Sequence, residues 1–484
     1  MNDTIFQPLL NCQDALSLEN AILDNIDQLA QWAKSKYSAL LTCRMPLRQL
    51  VQVKGNLLAE LDFSNSANRA CIVLLHDVCC AINLSGPATV LYNIIQNKRL
   101  VLGCRLEAAM MVLQSYGSND DFVEIFVPLC EKLQFAIQNE EDDESRCIAV
   151  FIRFYALVVR DLHNSYVSLV QNRIAAYKST YHFLNNDTIH RASSISSSDK
   201  QEAYIAIINM LADVSSETEI EDSNATPSVT NASEFSSRLP LCDKNFRSIR
   251  ELACQMLSER DFDEDEVFRS LGRGVRVLTN EDQLLVYLMS YGAMHEAKLR
   301  ASYEQFNFDS ISSTVRIIDW GCGQAVATMC LLEYIQEHGI DINVEEIILI
   351  EPSSVALRRA EIFVHHFNSN VAIKNINKGF DELVISDLDS LNECETIHLF
   401  SNVLDYDGYD INHLQNVISA SMSNVNYFIC VSPYINEIKV NRINSFEQYF
   451  SNFQNYRHIY DVNNLAGTWI GKWTRVIRVF SIEI

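Results

Sequence analysis

Positive charge is scarce in this chain. Its 484 residues hold 38 Lys and Arg against 62 Asp and Glu, a formal net charge of -24. Binding to nucleic acid or to an anionic membrane needs a concentrated basic surface. The densest basic spots are only Lys98-Arg99 and Arg273 to Arg276, so both partners are poor expectations. No apolar run reaches the length of a membrane span. The first residues lack the basic-then-apolar pattern of a secretory signal, which leads us to expect a cytoplasmic protein. The 14 cysteines include no C-x-x-C pair, which argues against a structural zinc site. Scattered as they are, with one adjacent pair at Cys79-Cys80, they read as buried reduced thiols rather than a disulfide frame. A phosphate loop of the form G-x-x-x-x-G-K-S/T is also missing.

Hydrophobic residues make up 48% of the chain, enough for a large folded core. The informative stretch runs from Val315 to Pro352. Val315 to Ile318 is a short β-branched run that reads as a buried strand. Asp319-Trp320-Gly321-Cys322-Gly323-Gln324-Ala325 is a tight turn. From Val326 a helical pattern puts Ala327, Cys330, Leu331, Tyr334 and Ile335 on one face. Ile347 to Ile350 is a second strand, ending on Glu351-Pro352. The carboxyl end of the first strand in such a unit is where nucleotide-like ligands lie. The dinucleotide fingerprint would put its third small residue at Val326, so it does not apply.

Asp319, Gly321, Gly323, Ala325 and Glu351 together resemble the first motif of class I S-adenosylmethionine (SAM)-dependent methyltransferases. The resemblance covers about 284–484. It implies an α/β seven-stranded doubly wound methyltransferase domain with SAM as cofactor. Gly321 and Gly323, flanking Cys322 and beside Gln324, would let backbone approach the methionine moiety, with Asp319 holding its ammonium. Glu351, followed by Pro352, would accept both ribose hydroxyls. Asn377 stands where the family often has an acid for the adenine amino group, and its amide oxygen could still accept that bond. The helix before the first strand would cover the pocket, and Tyr291 or Lys298 would reach the cofactor's carboxylate. Tyr287, Tyr291, His295 and Lys298 fall on one edge of that helix.

From Ser17 to about His182 the pattern is helical, with Ser17 as the expected first cap. A bundle and a stack of helical hairpins are equally compatible. Arg191 to Lys200 and Val214 to Ser237 read as polar linkers. The expected divisions are 1–213, an all-α helical domain; 214–238, a linker; 239–311, a helical lead-in; and 312–484, the methyltransferase-like domain. Later strands are expected at Val371 to Ile376, Thr396 to Phe400, Asn426 to Val431, Tyr456 to Asp461 and Thr474 to Ile484, the last two an antiparallel pair.

On the acceptor side, Asn402, Asp405 and Tyr434 follow the fourth and fifth strands and are the candidate catalytic residues. Enzymes that methylate base amino groups often carry N/D-P-P-Y/F/W after the fourth strand. Here Ser401-Asn402-Val403-Leu404 has no proline. Asp405, Asp407 and Asp410 could hold Mg²⁺, but Asx turns around Gly408 explain them more simply, and no metal is expected. The reading is a methyltransferase acting on a protein or small molecule rather than nucleic acid. The alternative is an idle methyltransferase-fold scaffold whose helical domain binds a protein partner.

Overall fold

The structure is a computed structural model that describes every residue except 1–4, 36, 115–118, 141, 196–198, 215–231, 261–263, 312–313, 389–393, 435, 465–469 and 471–472. The chain forms two compact units. One comprises residues 1–223 with 435–441, the other 224–434 with 442–484.

In the first unit the described regular elements up to Val214 are helices. Ser66–Ala81 is buried along almost its whole length and Glu144–Asp161 along most of it. Ser17 is not a cap. A short helix Gln7–Asn11 without a side-chain cap comes first, and Asp14 caps the next: its side chain accepts from the Ser17 amide while the Ser17 hydroxyl reaches back to the Asp14 amide, a reciprocal capping box that starts the helix Ala15–Ala33. The carboxylate of Asp satisfies a backbone donor there as well as a hydroxyl does, so the helix starts earlier than its apolar period shows. Among these helices lies a buried ionic network. Arg105 grips Asp77 bidentately at 2.9 and 3.0 Å and reaches Asp142 at 3.0 Å, while Arg146 lies 3.0 Å from Asp77. Of the two stretches expected to be linkers, Arg191 to Ser194 instead closes the helix Asp187–Ser194, and a helix Ala232–Arg238 ends the second. Residues 196–198 and 215–231 lie outside the described residues.

The second unit is built on one seven-stranded sheet. Its strands are β1 Thr314–Trp320, β2 Asn343–Ile350, β3 Ala372–Ile376, β4 Glu395–Ser401, β5 Val425–Ser432, β6 Tyr456–Asn464 and β7 Arg475–Glu483, in the order β3-β2-β1-β4-β5-β7-β6. Neighbours pair in parallel from β3 to β5, and β7 runs antiparallel to both β5 and β6. Each expected strand is present, with its ends shifted by a few residues at most. β1, β4 and β5 are covered on both faces, which is why they read as near-continuous apolar runs.

Polar side chains inside this sheet are paired. Trp320 Nε1 donates to His398 Nδ1 at 3.1 Å, and His398 Nε2 lies 3.1 Å from Asn426 Oδ1. The Asn426 amide nitrogen is committed to the carbonyls of Ser423 and Asn424. His398 therefore carries its proton on Nε2 and is neutral, in keeping with a pKa that burial lowers to about 4.

The strand order reverses direction between β1 and β4, which leaves a crevice at their carboxyl ends. Backbone bonds knit the segments that leave it: Cys322 N donates to Ile350 O, Glu351 N to Ile376 O and Asn402 N to Val431 O. The long helix Glu281–Tyr303 precedes β1 and is capped by Asn280, whose side chain accepts from the Gln283 amide. Gly292 lets it approach the helix Phe246–Ser258 closely, since a Cβ there would stand 3.1 Å from the Phe246 ring.

Candidate functional site

The turn leaving β1 holds three residues in left-handed backbone: Gly321 at φ +63°, Gly323 at +53° and Ala325 at +59°. Two are glycines, the residue that takes this region without a steric cost. Their surroundings differ. A Cβ on Gly321 would stand 2.7 Å from Val403 Cγ1 and 3.3 Å from the Phe380 ring, whereas one on Gly323 would meet nothing within 4 Å. Gly321 is thus packed against the segment after β4, and Gly323 fronts open space.

Glu351 faces this turn from the end of β2. One carboxylate oxygen accepts from the Gly323 amide at 3.0 Å, and the other from the Ser353 amide at 2.9 Å. A carboxylate has about four acceptor positions, so two remain. Burial pushes its pKa up to about 7. The two amides pull it down, and the nearby Asp319 charge adds a small upward push. Asp319 is only 1% exposed, and its Oδ2 accepts from both the amide and the hydroxyl of Thr328, at 3.3 and 2.7 Å. Its carboxylate thus ties β1 to the helix Val326–Glu337, leaving Oδ1 as the oxygen not taken by Thr328. Burial raises its pKa to about 6, against the two Thr328 bonds.

Cys322 and Gln324 sit in the same turn, yet their side chains are spent inside the fold. Cys322 is buried, which drives its thiol pKa well up. Gln324 donates to the Leu284 carbonyl at 3.0 Å and so binds the turn to the helix Glu281–Tyr303. Pro352 is exposed, and its carbonyl and that of Glu351 both accept from Asn377 Nδ2, at 2.8 and 2.9 Å. Those two bonds fix the amide, so Oδ1 is the atom Asn377 presents as an acceptor.

The helix Glu281–Tyr303 brings a second group of residues to the crevice. Tyr291 is half-buried between the rings of Phe268 and Tyr287. Lys298 has no exposed surface, and its Nζ donates to Asn402 Oδ1 at 2.7 Å. Asn402 Nδ2 in turn lies 2.7 Å from His295 Nδ1. Asn402 therefore does not stand alone before an acceptor; its amide bridges two residues of the helix. Next to it, Val403 is the residue that packs on Gly321.

Asp405 is buried in the loop after β4, and Tyr434 is buried after β5 with its amide on Thr474 Oγ1 at 3.1 Å. Asp410 caps the helix Ile411–Ser421 by accepting from the Asn412 amide at 2.9 Å. Among the described residues, no group of three His, Cys, Asp or Glu could hold a metal ion. No helix among them is long and apolar enough to cross a membrane.

Sequence reasoning passed over three contributors. The helical period puts His295 on one edge with Lys298 but gives it no role of its own. Thr328 and Ser353 were not singled out. Ser353 had a signal, since a Ser just after a strand and before a helical period is a cap. It caps Ser354–Phe367 and also donates its amide to Glu351.

No family model and no curated protein matches this chain. Among solved structures it is similar to an S-adenosylmethionine-dependent methyltransferase from Clostridium acetobutylicum, 10% identical, over 41% of this chain and 97% of that one, with a TM-score of 0.27. It is also similar to the geranyl diphosphate C-methyltransferase of Streptomyces coelicolor, at 6% identity over 42% and 81% of the two chains, with a TM-score of 0.28. A SAM-dependent methyltransferase from Archaeoglobus fulgidus is 14% identical over 39% and 94%, at 0.25. Scores this low carry no weight for function, and the site is read from its own geometry.

Proposed function

We propose that the second unit binds SAM at the carboxyl ends of β1 and β2 and transfers its methyl group to a protein or small-molecule acceptor. One observation carries the reading: the left-handed glycine turn, with Gly323 fronting open space and its amide clasped by Glu351. The residues present fit the cofactor. Glu351 keeps acceptor positions for paired ribose hydroxyls, and Asn377 Oδ1 is turned out for an adenine amino group. Lys298 is the cation for a carboxylate, and Asp319 Oδ1 is the oxygen available to an ammonium. Tyr291 walls the same helix edge. Cys322, Gln324 and Pro352 shape the turn rather than bind through their side chains.

Bound SAM supplies a methyl group on a sulfonium, an already good leaving group, so the chain mainly has to orient the nucleophile. Asp405 and Tyr434, on the loops after β4 and β5, are the candidates for meeting the acceptor. Asn402 serves the cofactor side. The net charge of -24 supports an acceptor other than nucleic acid. The helical region, residues 1–213, is the candidate for holding a protein acceptor.

The test is calorimetry with SAM and with S-adenosylhomocysteine (SAH) on the full chain and on Glu351→Ala. Binding by wild type and its loss in the variant are expected. Transfer of labelled methyl from SAM into a cell extract, absent with Glu351→Ala, then separates an enzyme from an idle scaffold. A wild-type protein that gives no heat with either nucleoside refutes the reading.

A further inference from the structure

Arg146, Arg153 and Arg160 recur at a seven-residue interval along the helix Glu144–Asp161, which puts them on one side of a largely buried helix. The two outer guanidiniums are compensated. Arg146 lies 3.0 Å from Asp77, and Arg160 holds Asp161 at 2.6 and 2.8 Å. The middle one is not. Arg153 Nε is buried without a hydrogen-bond partner, and among the described residues no carboxylate pairs with this side chain. Burial works against its charge and pulls its pKa below the usual value, while Tyr37, Asp77 and Cys80 act the other way. Asp77 does so without touching it, because both of its oxygens are held by Arg105 and Arg146. His76 is neutral, since burial lowers its pKa to about 4. Three cations, Arg105, Arg146 and Arg153, therefore face two carboxylates, Asp77 and Asp142. A charge withdrawn from water without a partner is costly unless a counter-ion meets it.

The groups gathered around Arg153 are donors. Its guanidinium carbon lies 5.7 Å from the centre of the Tyr37 ring. Burial raises the Tyr37 pKa, Arg153 pulls it down, Tyr204 pushes it up and Arg44 pulls it down, so the four side chains share one electrostatic neighbourhood. The Tyr37 hydroxyl is thus a neutral donor. Arg44 donates to the carbonyls of Ile82 and Asn83 at 3.0 and 3.3 Å, which fix its position and leave its charge unanswered. Tyr204 lies under Arg160, 4.8 Å from ring centre to guanidinium carbon. Arg153, Tyr37 and Tyr204 are half-buried and Arg44 is exposed, so the cluster reaches solvent. In a chain of net charge -24, two arginines without a carboxylate beside two phenols form a local exception.

We propose that Arg153, Arg44 and Tyr37 form a binding site in the helical unit for a phosphate-type oxyanion. Guanidinium forks match the paired oxygens of such a group, and the phenol adds a third donor. A carboxylate would leave one of the two cations unanswered, whereas a phosphate dianion neutralises both. The site lies wholly within the first unit and does not depend on the SAM reading.

The test is calorimetry on the full chain with inorganic phosphate, phenyl phosphate and acetate, at constant ionic strength and about pH 8, where phosphate is a dianion. Wild type should bind phosphate saturably with a Kd of about 1 mM or tighter and give little heat with acetate. Arg153→Met should weaken phosphate by about tenfold or more, and Tyr37→Phe by about fivefold. Arg160→Met, whose charge Asp161 already answers, should change it by less than about twofold. In urea without phosphate, Arg153→Met should be at least as stable as wild type, because it removes an unpaired charge and keeps the packing. Phosphate should then stabilise wild type and not the variant. Phenyl phosphate binding more tightly than the inorganic ion would make an ester the ligand, and the reverse would make it the free ion. No saturable heat with either phosphate would overturn the proposal, as would equal losses in Arg153→Met and Arg160→Met or acetate binding as tightly as phosphate. Should Arg153→Met fail to fold, Tyr37→Phe decides, and unchanged phosphate affinity in it would overturn the proposal too.

Discussion

Lowering the pH from about 8 to about 6 is expected to weaken SAH binding by about tenfold, or about 1.4 kcal/mol. The figure follows from Glu351. Burial raises its carboxyl to about 7, against the pull of the Ser353 and Gly323 amides, with Asp319 adding a small upward push. Only the ionised form can accept both ribose hydroxyls. A group with that pKa is roughly nine-tenths ionised at pH 8 and about one-tenth ionised at pH 6. The binding-competent fraction therefore falls by roughly an order of magnitude. Calorimetry across this range at constant ionic strength reads the effect directly. Repeating it in buffers of different ionisation enthalpy should show proton release near neutrality. Asp319, whose carboxyl burial raises to about 6, contributes only at the acid end.

Glu351→Gln removes the titration and should flatten the profile above about pH 6.5, at a lower overall affinity. The unligated fold has the opposite preference. Because the folded pKa lies above the ordinary 4.5, the stability Glu351 contributes is fully present below 4.5 and is lost as pH rises through about 7. Saturating SAH should therefore raise the melting temperature more at pH 8 than at pH 6. A flat wild-type profile, or an equal slope in Glu351→Gln, would refute the assignment of Glu351 to the ribose.

The two glycines of the turn should respond differently to a methyl group. Gly321→Ala forces a Cβ to 2.7 Å from Val403 Cγ1 at φ +63°, and should cost about 2–4 kcal/mol in urea unfolding. Gly323→Ala meets no neighbour within 4 Å. It should cost only about 1 kcal/mol of strain, yet weaken SAH by more than about tenfold because its methyl enters the ligand's space; unchanged binding would mean that space is not the ligand's. In the first unit, Arg105→Ala takes from Asp142 its ion pair and leaves Asp77 with Arg146 alone. Against the upward push of burial, Arg105 and Arg146 hold the Asp77 carboxyl well below the usual range. The substitution should cost about 3–5 kcal/mol, and a loss in urea unfolding below about 1 kcal/mol would show that the network bears little. His398→Leu leaves Trp320 Nε1 and Asn426 Oδ1 without their partner inside the sheet. A cost of about 2–4 kcal/mol is expected by urea unfolding, and a neutral result would mean water replaces the ring.

What could be read from the sequence follows from how far apart the interacting groups lie. The strands were legible because both faces of β1, β4 and β5 are covered, which turns them into short apolar runs bounded by polar residues. The turn was legible because its whole pattern fits into the few residues between Asp319 and Ala325, where left-handed backbone at two positions favours glycine. The cap of the helix Ala15–Ala33 was misplaced by three residues because Asp14 and Ser17 are both capping types, and only the reciprocal hydrogen bonds decide which one caps. The bridge at Asn402 was beyond reach for a different reason. Its partners are 104 and 107 positions away in the chain. Any of several polar residues on the helix Glu281–Tyr303 could have met any of several on the β4 and β5 loops. What selects this pair is the register of that helix against the sheet, set by Gly292 against Phe246 and by Tyr303 donating to the Ala327 carbonyl at 2.8 Å. A substitution at Gly292 should therefore disturb the Lys298–Asn402 bond from a distance. A Cβ there stands 3.1 Å from the Phe246 ring, so the ring must give by a few tenths of an ångström, and where it is held the helix shifts instead and lengthens the 2.7 Å hydrogen bond. Gly292→Ala should weaken SAH more than 5′-methylthioadenosine, which has the nucleoside and thioether but no amino-acid tail. Equal effects on the two would show that helix register and tail recognition are independent.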